Sequence, residues 1–101
     1  MSPTLARVVP NRVQSYGMET NDPRSVALGQ EVRAEAAARG VALTELCKSA
    51  GVTRSALYRY LDAERDMPYS VLADLAEALR VRPFELVERA EERARRNARL
   101  V

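Results

Sequence analysis

Histidine and tryptophan are absent from this sequence, and cysteine occurs once, at Cys47. Without histidine there is no Ser-His-Asp or Cys-His nucleophile, no imidazole acid or base, and no zinc finger or other Cys/His metal site. A single thiol cannot close an internal disulfide, which fits a reducing compartment. Long apolar runs are missing as well. A membrane-spanning helix needs about 20 consecutive apolar residues, and mean hydropathy here is −0.32, so no membrane partner is expected. The opening Met1-Ser-Pro-Thr-Leu-Ala-Arg7 lacks the apolar core of a secretory signal, and a cytoplasmic location is expected. An excess of charge of one sign is also wanting: 16 basic residues face 14 acidic ones, for a net charge of +2. No pair of carboxylates stands apart from a surface ion-pair pattern, so neither an enzyme, nor a cofactor, nor a metal ion is expected.

What the chain does have is length for one domain plus tails, at 101 residues, and an uneven distribution of charge. Residues 25–81 are nearly balanced, with seven basic and eight acidic residues, whereas 82–101 carry six Arg against four Glu. From Lys48 through Leu61 there is no acid at all, only Lys48, Arg54 and Arg59. A local cationic surface can therefore exist inside a nearly neutral domain.

Residues 1–24 contain Pro3, Pro10 and Pro23, a Ser-Tyr-Gly step and a polar Glu19-Thr-Asn-Asp22 run, and read as a flexible, disordered N-terminal arm. Met18 offers an alternative translation start within it. From Ser25 onward the pattern is helical. Ser25 is the expected N-cap of a first helix, with Leu28, Val32 and Ala36 on one face, Glu35 placed to pair with Arg39, and Gly40 as its stop. Leu43, Leu46, Cys47 and Ala50 recur at helical spacing in a short second helix ending at Gly51. Thr53 caps a third, with Leu57, Tyr60 and Leu61 inward and Arg54, Ser55, Tyr58, Arg59 and Asp62 outward. A polar loop to Pro68 precedes a fourth helix striped by Val71, Leu72, Leu75, Ala76 and Leu79. Pro83 opens a fifth, on which Phe84, Val87, Ala90 and Ala94 are the expected apolar positions. Glu85 with Arg89, Glu91 with Arg95 and Glu92 with Arg96 are candidate i,i+4 pairs. Nothing alternates long enough to be a strand, so the fold is all-α: a domain over 25–88 and a charged helical extension over 89–101.

The segment Leu43 to Leu61 is the most informative. Two helices crossing at about 100° need a small side chain where they meet, which Cys47 supplies, and a turn residue tolerant of positive φ, which Gly51 supplies. Val52 plugs the corner, and Leu57 and Tyr60 anchor the second helix and so aim its polar face. Cys47 is read as a packing residue rather than a redox sensor, because its phase points inward.

In this register the sequence resembles the helix-turn-helix regulators, the family of phage repressors, Cro proteins and bacterial xenobiotic-response-element regulators. The resemblance covers about residues 26–87 and includes Tyr60-Leu-Asp-Ala-Glu-Arg-Asp-Met-Pro68 and Val71-Leu-Ala-Asp-Leu-Ala-Glu-Ala-Leu-Arg-Val81. It implies a compact, lambda-repressor-like five-helix DNA-binding domain whose third helix, 53–62, enters the DNA major groove. Carried over by position, Thr53 caps that helix, while Arg54, Ser55, Tyr58 and Arg59 face bases and backbone. Lys48 and Arg65 are placed to meet phosphates, their alternative being plain solvation; Tyr58 either touches a sugar or a thymine methyl or simply covers Leu57. Two features depart from the family. Ala42 and Leu43 stand where Ser or Thr followed by Gln is frequent, which leaves Thr44 and Glu45 to cap the second helix. Ala63 stands where glycine is common, which makes a positive φ costlier there and favours a different loop shape.

The functional expectation is a sequence-specific DNA-binding transcription regulator, a repressor of the short phage Cro type, acting sterically at a double-stranded DNA operator. The competing expectations are the antitoxin of a toxin-antitoxin pair and a helical protein-interaction module that does not bind DNA. A weak homodimer is expected through the C-terminal helix, where Val87, Ala90, Ala94, Ala98 and Val101 form a narrow seam; the alternative is a monomer with that Arg-rich helix in solvent.

Overall fold

The structure, a computed structural model, describes residues 22–99. The expected N-terminal arm lies outside these residues except for Asp22, Pro23 and Arg24, which open the first helix. Five helices follow: α1 Pro23–Arg39, α2 Leu43–Ala50, α3 Arg54–Leu61, α4 Tyr69–Leu79 and α5 Pro83–Arg99. No strand occurs among the described residues, and none of their helices is long and apolar enough to cross a membrane.

The first helix starts earlier than its periodicity suggests. Asp22, not Ser25, is the N-cap: its carboxylate accepts from the Arg24 backbone N–H at 2.8 Å, and Pro23 takes a first-turn position where no N–H is needed. The same carboxylate pairs with the Arg24 guanidinium at 3.0 Å. That side-chain bond, joined by the backbone bond, holds the Asp22 carboxyl below its ordinary pKa. Ser25 lies inside the first turn because a stronger acceptor stands three residues ahead of it.

Three helices end in one motif. The left-handed residues Gly40, Gly51 and Arg80 each direct their N–H back into the last turn, and the following residue, valine in all three cases, donates to a carbonyl one residue earlier: Val41 to Ala36, Val52 to Cys47 and Val81 to Ala76, at 2.9–3.1 Å. Each valine packs against the core, the hydrophobic contact that accompanies such caps. Arg80 is the exception in composition, since it holds φ 61° with a side chain attached.

The core is built of Leu46, Leu57, Leu75, Leu79, Leu86 and Val32, all fully buried. Helix α4 supplies the full apolar stripe that its spacing predicts, and it packs against α1, α2 and α5. Helix α3 packs against α1 and α2. Its closest approach is at Gly29, where a Cβ would stand 1.9 Å from the Leu61 carbonyl oxygen. A mid-helix glycine weakens a helix by about 0.5–1 kcal/mol relative to alanine; here it lets two backbones touch.

Helix α5 departs from expectation in its phase. Its buried residues are Leu86 and Ala90, whereas Phe84 is 58% exposed and Val87 38%. Three polar links tie it to α1: Arg93 Nε donates to Glu31 at 3.1 Å, Asn97 Nδ2 donates to Gln30 at 3.0 Å, and Arg89 pairs with Glu35. The charged stretch after 88 is thus the second half of one continuous helix tied to α1. The expected i,i+4 pairs on α5 give way to these links. Glu85 caps the helix by accepting from the Arg82 N–H at 3.0 Å, and Arg95 pairs with Glu92, three residues away. Only the α1 pair, Glu35 with Arg39 at 2.8 Å, forms as its spacing predicts.

Two substitutions test this packing. Gly29→Ala forces α1 and α3 apart and lowers stability by about 1–3 kcal/mol in urea denaturation, despite the better helix propensity of alanine; an unchanged or raised midpoint contradicts the backbone contact. Arg80→Gly relieves a left-handed residue that is exposed and without a salt bridge among the described residues, and raises stability by about 0.5–1 kcal/mol.

Candidate nucleic-acid interface

Helix α2 begins at Leu43 with Ala42 as N-cap, and alanine offers no side-chain acceptor. Glu45 supplies half of a capping box, its carboxylate accepting from the Ala42 N–H at 3.2 Å. Thr44, expected to share that work, makes no capping bond among the described residues and leaves its side chain exposed. Cys47 is a free thiol, half-buried against the core on the side of α2 that meets the rest of the domain.

The turn follows the sequence reading. Gly51 sits at φ 66°, Val52 is partly buried against the core, and Thr53 returns to extended backbone, its Oγ1 accepting from the Ala56 N–H at 3.0 Å. Helix α3 then buries Leu57 and Leu61. Burial of a leucine contributes about 1.5–3 kcal/mol, well above the 0–1 kcal/mol of an exposed ion pair, so these two residues decide the rotation of the helix about its axis. The expected anchor Tyr60 contributes less, being only partly buried. The opposite face carries Arg54, Ser55, Tyr58, Arg59 and Asp62, all exposed.

The segment after α3 keeps a left-handed turn without a glycine. Ala63 holds φ 61° and its N–H donates to the Tyr60 carbonyl at 3.1 Å, while the Glu64 N–H donates to Arg59 at 2.8 Å. The costly positive φ is adopted by alanine all the same. The alanine methyl is fully buried, which offsets the backbone strain. Arg65 in this loop lies with its guanidinium carbon 5.7 Å from the centre of the Tyr60 ring, a cation–π distance. That contact orients a cation beside the C-terminal end of α3.

The charges divide into two groups. On α1 and α5, Arg24, Arg33, Arg39, Arg89, Arg93 and Arg95 each have a carboxylate partner. On α2, α3 and the loop after it, Lys48, Arg54, Arg59 and Arg65 have none among the described residues, and neither do Arg80, Arg82, Arg96 and Arg99 farther along the sequence. The first four, three of them on or beside an exposed helix face, are suited to a polyanion.

One residue of this surface has no signal in helical periodicity. Arg33 projects from α1 to α3, where it donates to Asp62 at 2.9 Å and lies 5.7 Å from the centre of the Tyr58 ring. Tyr58 is therefore held by a cation rather than serving only as a cover over Leu57. Periodicity does not show which helix Arg33 meets, because that contact joins residues 29 positions apart.

The seam expected for a dimer is partly occupied. Ala90 is buried within the protomer, Val87 and Ala98 are exposed, Ala94 is intermediate, and Val101 lies outside the described residues. Between α1 and α5 runs an open groove of about 310 Å³, floored by Leu28, Val87 and Ala90 and rimmed by Asp22, Arg24 and Glu91.

Comparison with known proteins completes the description. The helix-turn-helix domain family matches residues 27–91, from the second turn of α1 into the middle of α5. No curated protein matches the sequence. The crystal structure of the clp gene regulator ClgR from Corynebacterium glutamicum is similar, with a TM-score of 0.72 at 24% sequence identity over 78% of this chain and 83% of that one. At that identity the likeness is one of fold. The family match spans well over half of the sequence and coincides with the α2–turn–α3 unit and its supporting helices, and the chain belongs to the helix-turn-helix domain family of DNA-binding transcription regulators.

Proposed function

We propose that this protein is a sequence-specific repressor that inserts the helix over 53–62 into the major groove of a double-stranded DNA operator in the cytoplasm and blocks polymerase sterically. The observation that carries the reading is the set of exposed cations on and beside α3, Lys48, Arg54, Arg59 and Arg65, that have no carboxylate partner among the described residues and flank one outward-facing polar helix face. Phosphate neutralisation supplies affinity irrespective of sequence, and base edges in the groove supply discrimination. Arg54 and Arg59 have the length and the planar fork to engage guanine O6 and N7. Ser55 and Tyr58 complete the face, while Lys48, Arg65 and Thr44 meet the backbone on either side. No cofactor enters this mechanism.

A second protomer extends it. Two such units placed about 34 Å apart, or a multiple of that, bind two half-sites on one face of DNA. The part of the α5 seam that is not buried in the protomer, Val87, Ala94 and Ala98, together with the apolar floor of the neighbouring groove, is the surface proposed to join them. Its area is small and alanine-rich, so the free dimer is weak, micromolar or poorer in order of magnitude, and operator DNA promotes it.

Selection of bound sequences from random DNA tests the function: a single enriched motif is expected, and recovery of unenriched DNA contradicts sequence reading. With the selected site in hand, Arg54→Ala or Arg59→Ala costs about 1–3 kcal/mol in operator binding and relaxes preference at one base pair. Lys48→Ala weakens all sequences alike and reduces the salt slope by about one. For assembly, sedimentation of the operator complex is expected to give two protomers per site, with Val87→Glu lowering operator affinity while the melting temperature holds. One protomer on a non-palindromic site contradicts the dimer.

A further inference from the structure

The acid-free run that begins at Lys48 ends at Asp62, on the same outer face of α3 as Ser55, Tyr58 and Arg59. This carboxylate is ill placed for helix stability. It stands at the C-terminal end of α3, where the partial negative charge of the last carbonyls opposes an acid. Nor does its ion pair with Arg33 compensate much, because both side chains are about half exposed, 42% and 51%, and pairs of that kind contribute little. The pair does have a consequence for charge: it neutralises the cation that α1 brings to the face of α3, while Lys48, Arg54, Arg59 and Arg65 remain without carboxylate partners among the described residues.

We propose that Asp62 limits affinity for DNA: by pairing with Arg33 it withholds one phosphate-binding cation from the DNA face and so weakens binding to DNA of any sequence. The inference rests on the DNA-binding reading given above. Phosphate contacts carry no sequence information, and each one added raises operator and non-specific binding together. A residue that withholds such a contact therefore sets overall affinity and salt dependence and leaves discrimination between sequences to the side chains that face the bases. With its guanidinium engaged by Asp62 and placed over the Tyr58 ring, Arg33 acts as a positioning residue for Tyr58. The arrangement keeps an aromatic side chain aimed at the groove and holds a cation away from the phosphates.

The test is a salt series of binding to the selected operator and to a random duplex, with wild type, Asp62→Asn, Arg33→Gln and the double variant, all checked for an unchanged melting temperature. Asp62→Asn is expected to bind the random duplex several-fold more tightly and to steepen the salt slope by about one, as one added phosphate contact requires. In the double variant the slope returns to the wild-type value, since the released cation is gone. Arg33→Gln alone leaves the carboxylate unpaired beside DNA and weakens both duplexes. The proposal is overturned if Asp62→Asn leaves the random-duplex affinity and slope unchanged or lowers them, or if the steeper slope survives removal of Arg33. Wild-type protein that binds neither duplex at any salt overturns the DNA reading itself, an outcome distinct from wild-type binding that Asp62→Asn fails to alter.

Discussion

The rotation of α3 about its own axis is the constraint on which the rest of the structure depends. Leu57 and Leu61 face the core and are nearly inaccessible to water, and the Leu61 carbonyl meets α1 at a position where only glycine leaves room. Together these contacts leave the helix one orientation. Arg54, Ser55, Tyr58 and Arg59 then face outward because helical geometry gives them no alternative. The turn before α3 serves the same end: Gly51 reverses the chain, Val52 is drawn into the core, and the Thr53 hydroxyl satisfies the Ala56 N–H. The direction of the polar face thus follows from burial on the other side, and the Arg33 contact adds to it the placement of the Tyr58 ring.

Around that helix the molecule separates charges that bind internally from charges left for a partner. The strap between α1 and α5, made by Glu31 with Arg93, Glu35 with Arg89 and Gln30 with Asn97, uses arginines that composition alone cannot distinguish from DNA-binding ones. Glu31, only 7% exposed, stands where an unpaired acid would be costly, and Arg93 answers that need. The cations of α2 and α3 have no such neighbours among the described residues. A net charge of +2 is therefore compatible with a local cationic patch, because acids such as Glu31, Glu35 and Glu92 are committed to arginines of α1 and α5.

Much of this was legible in the sequence where the cause is local. Helical spacing of apolar residues predicts all five helices, the glycines at 40 and 51 predict two of their ends, and Thr53 predicts the start of α3. The full stripe of α4 is buried as its period requires. Features caused by contacts between distant residues left no such trace. Gly29 reads as a weak point in a helix until Leu61 is seen against it, and Arg33 reads as a surface charge until Asp62 and Tyr58 are beside it. The phase of α5 differs from its apolar spacing for a related reason. Phe84 and Val87 outweigh Ala90 in hydrophobicity, yet Leu86 and Ala90 are the buried positions, on the side of the helix from which Arg89, Arg93 and Asn97 reach α1. Asp22 does not stand out as a cap within a polar, proline-containing stretch, although proline is favoured in a first helical turn.

The central claim is that the outer face of α3 is the surface that meets DNA, and the most direct measurement is a titration of isotope-labelled protein with its selected operator duplex, followed by backbone amide shifts. The account predicts that the largest changes fall on residues 53–62, with further changes at Lys48 and Arg65, while the exposed N-terminal end of α5 around Phe84 and Glu88 stays near its free positions. Changes centred on the α1–α5 groove, with the amides of Arg54, Ser55, Tyr58 and Arg59 unmoved at saturation, would contradict it.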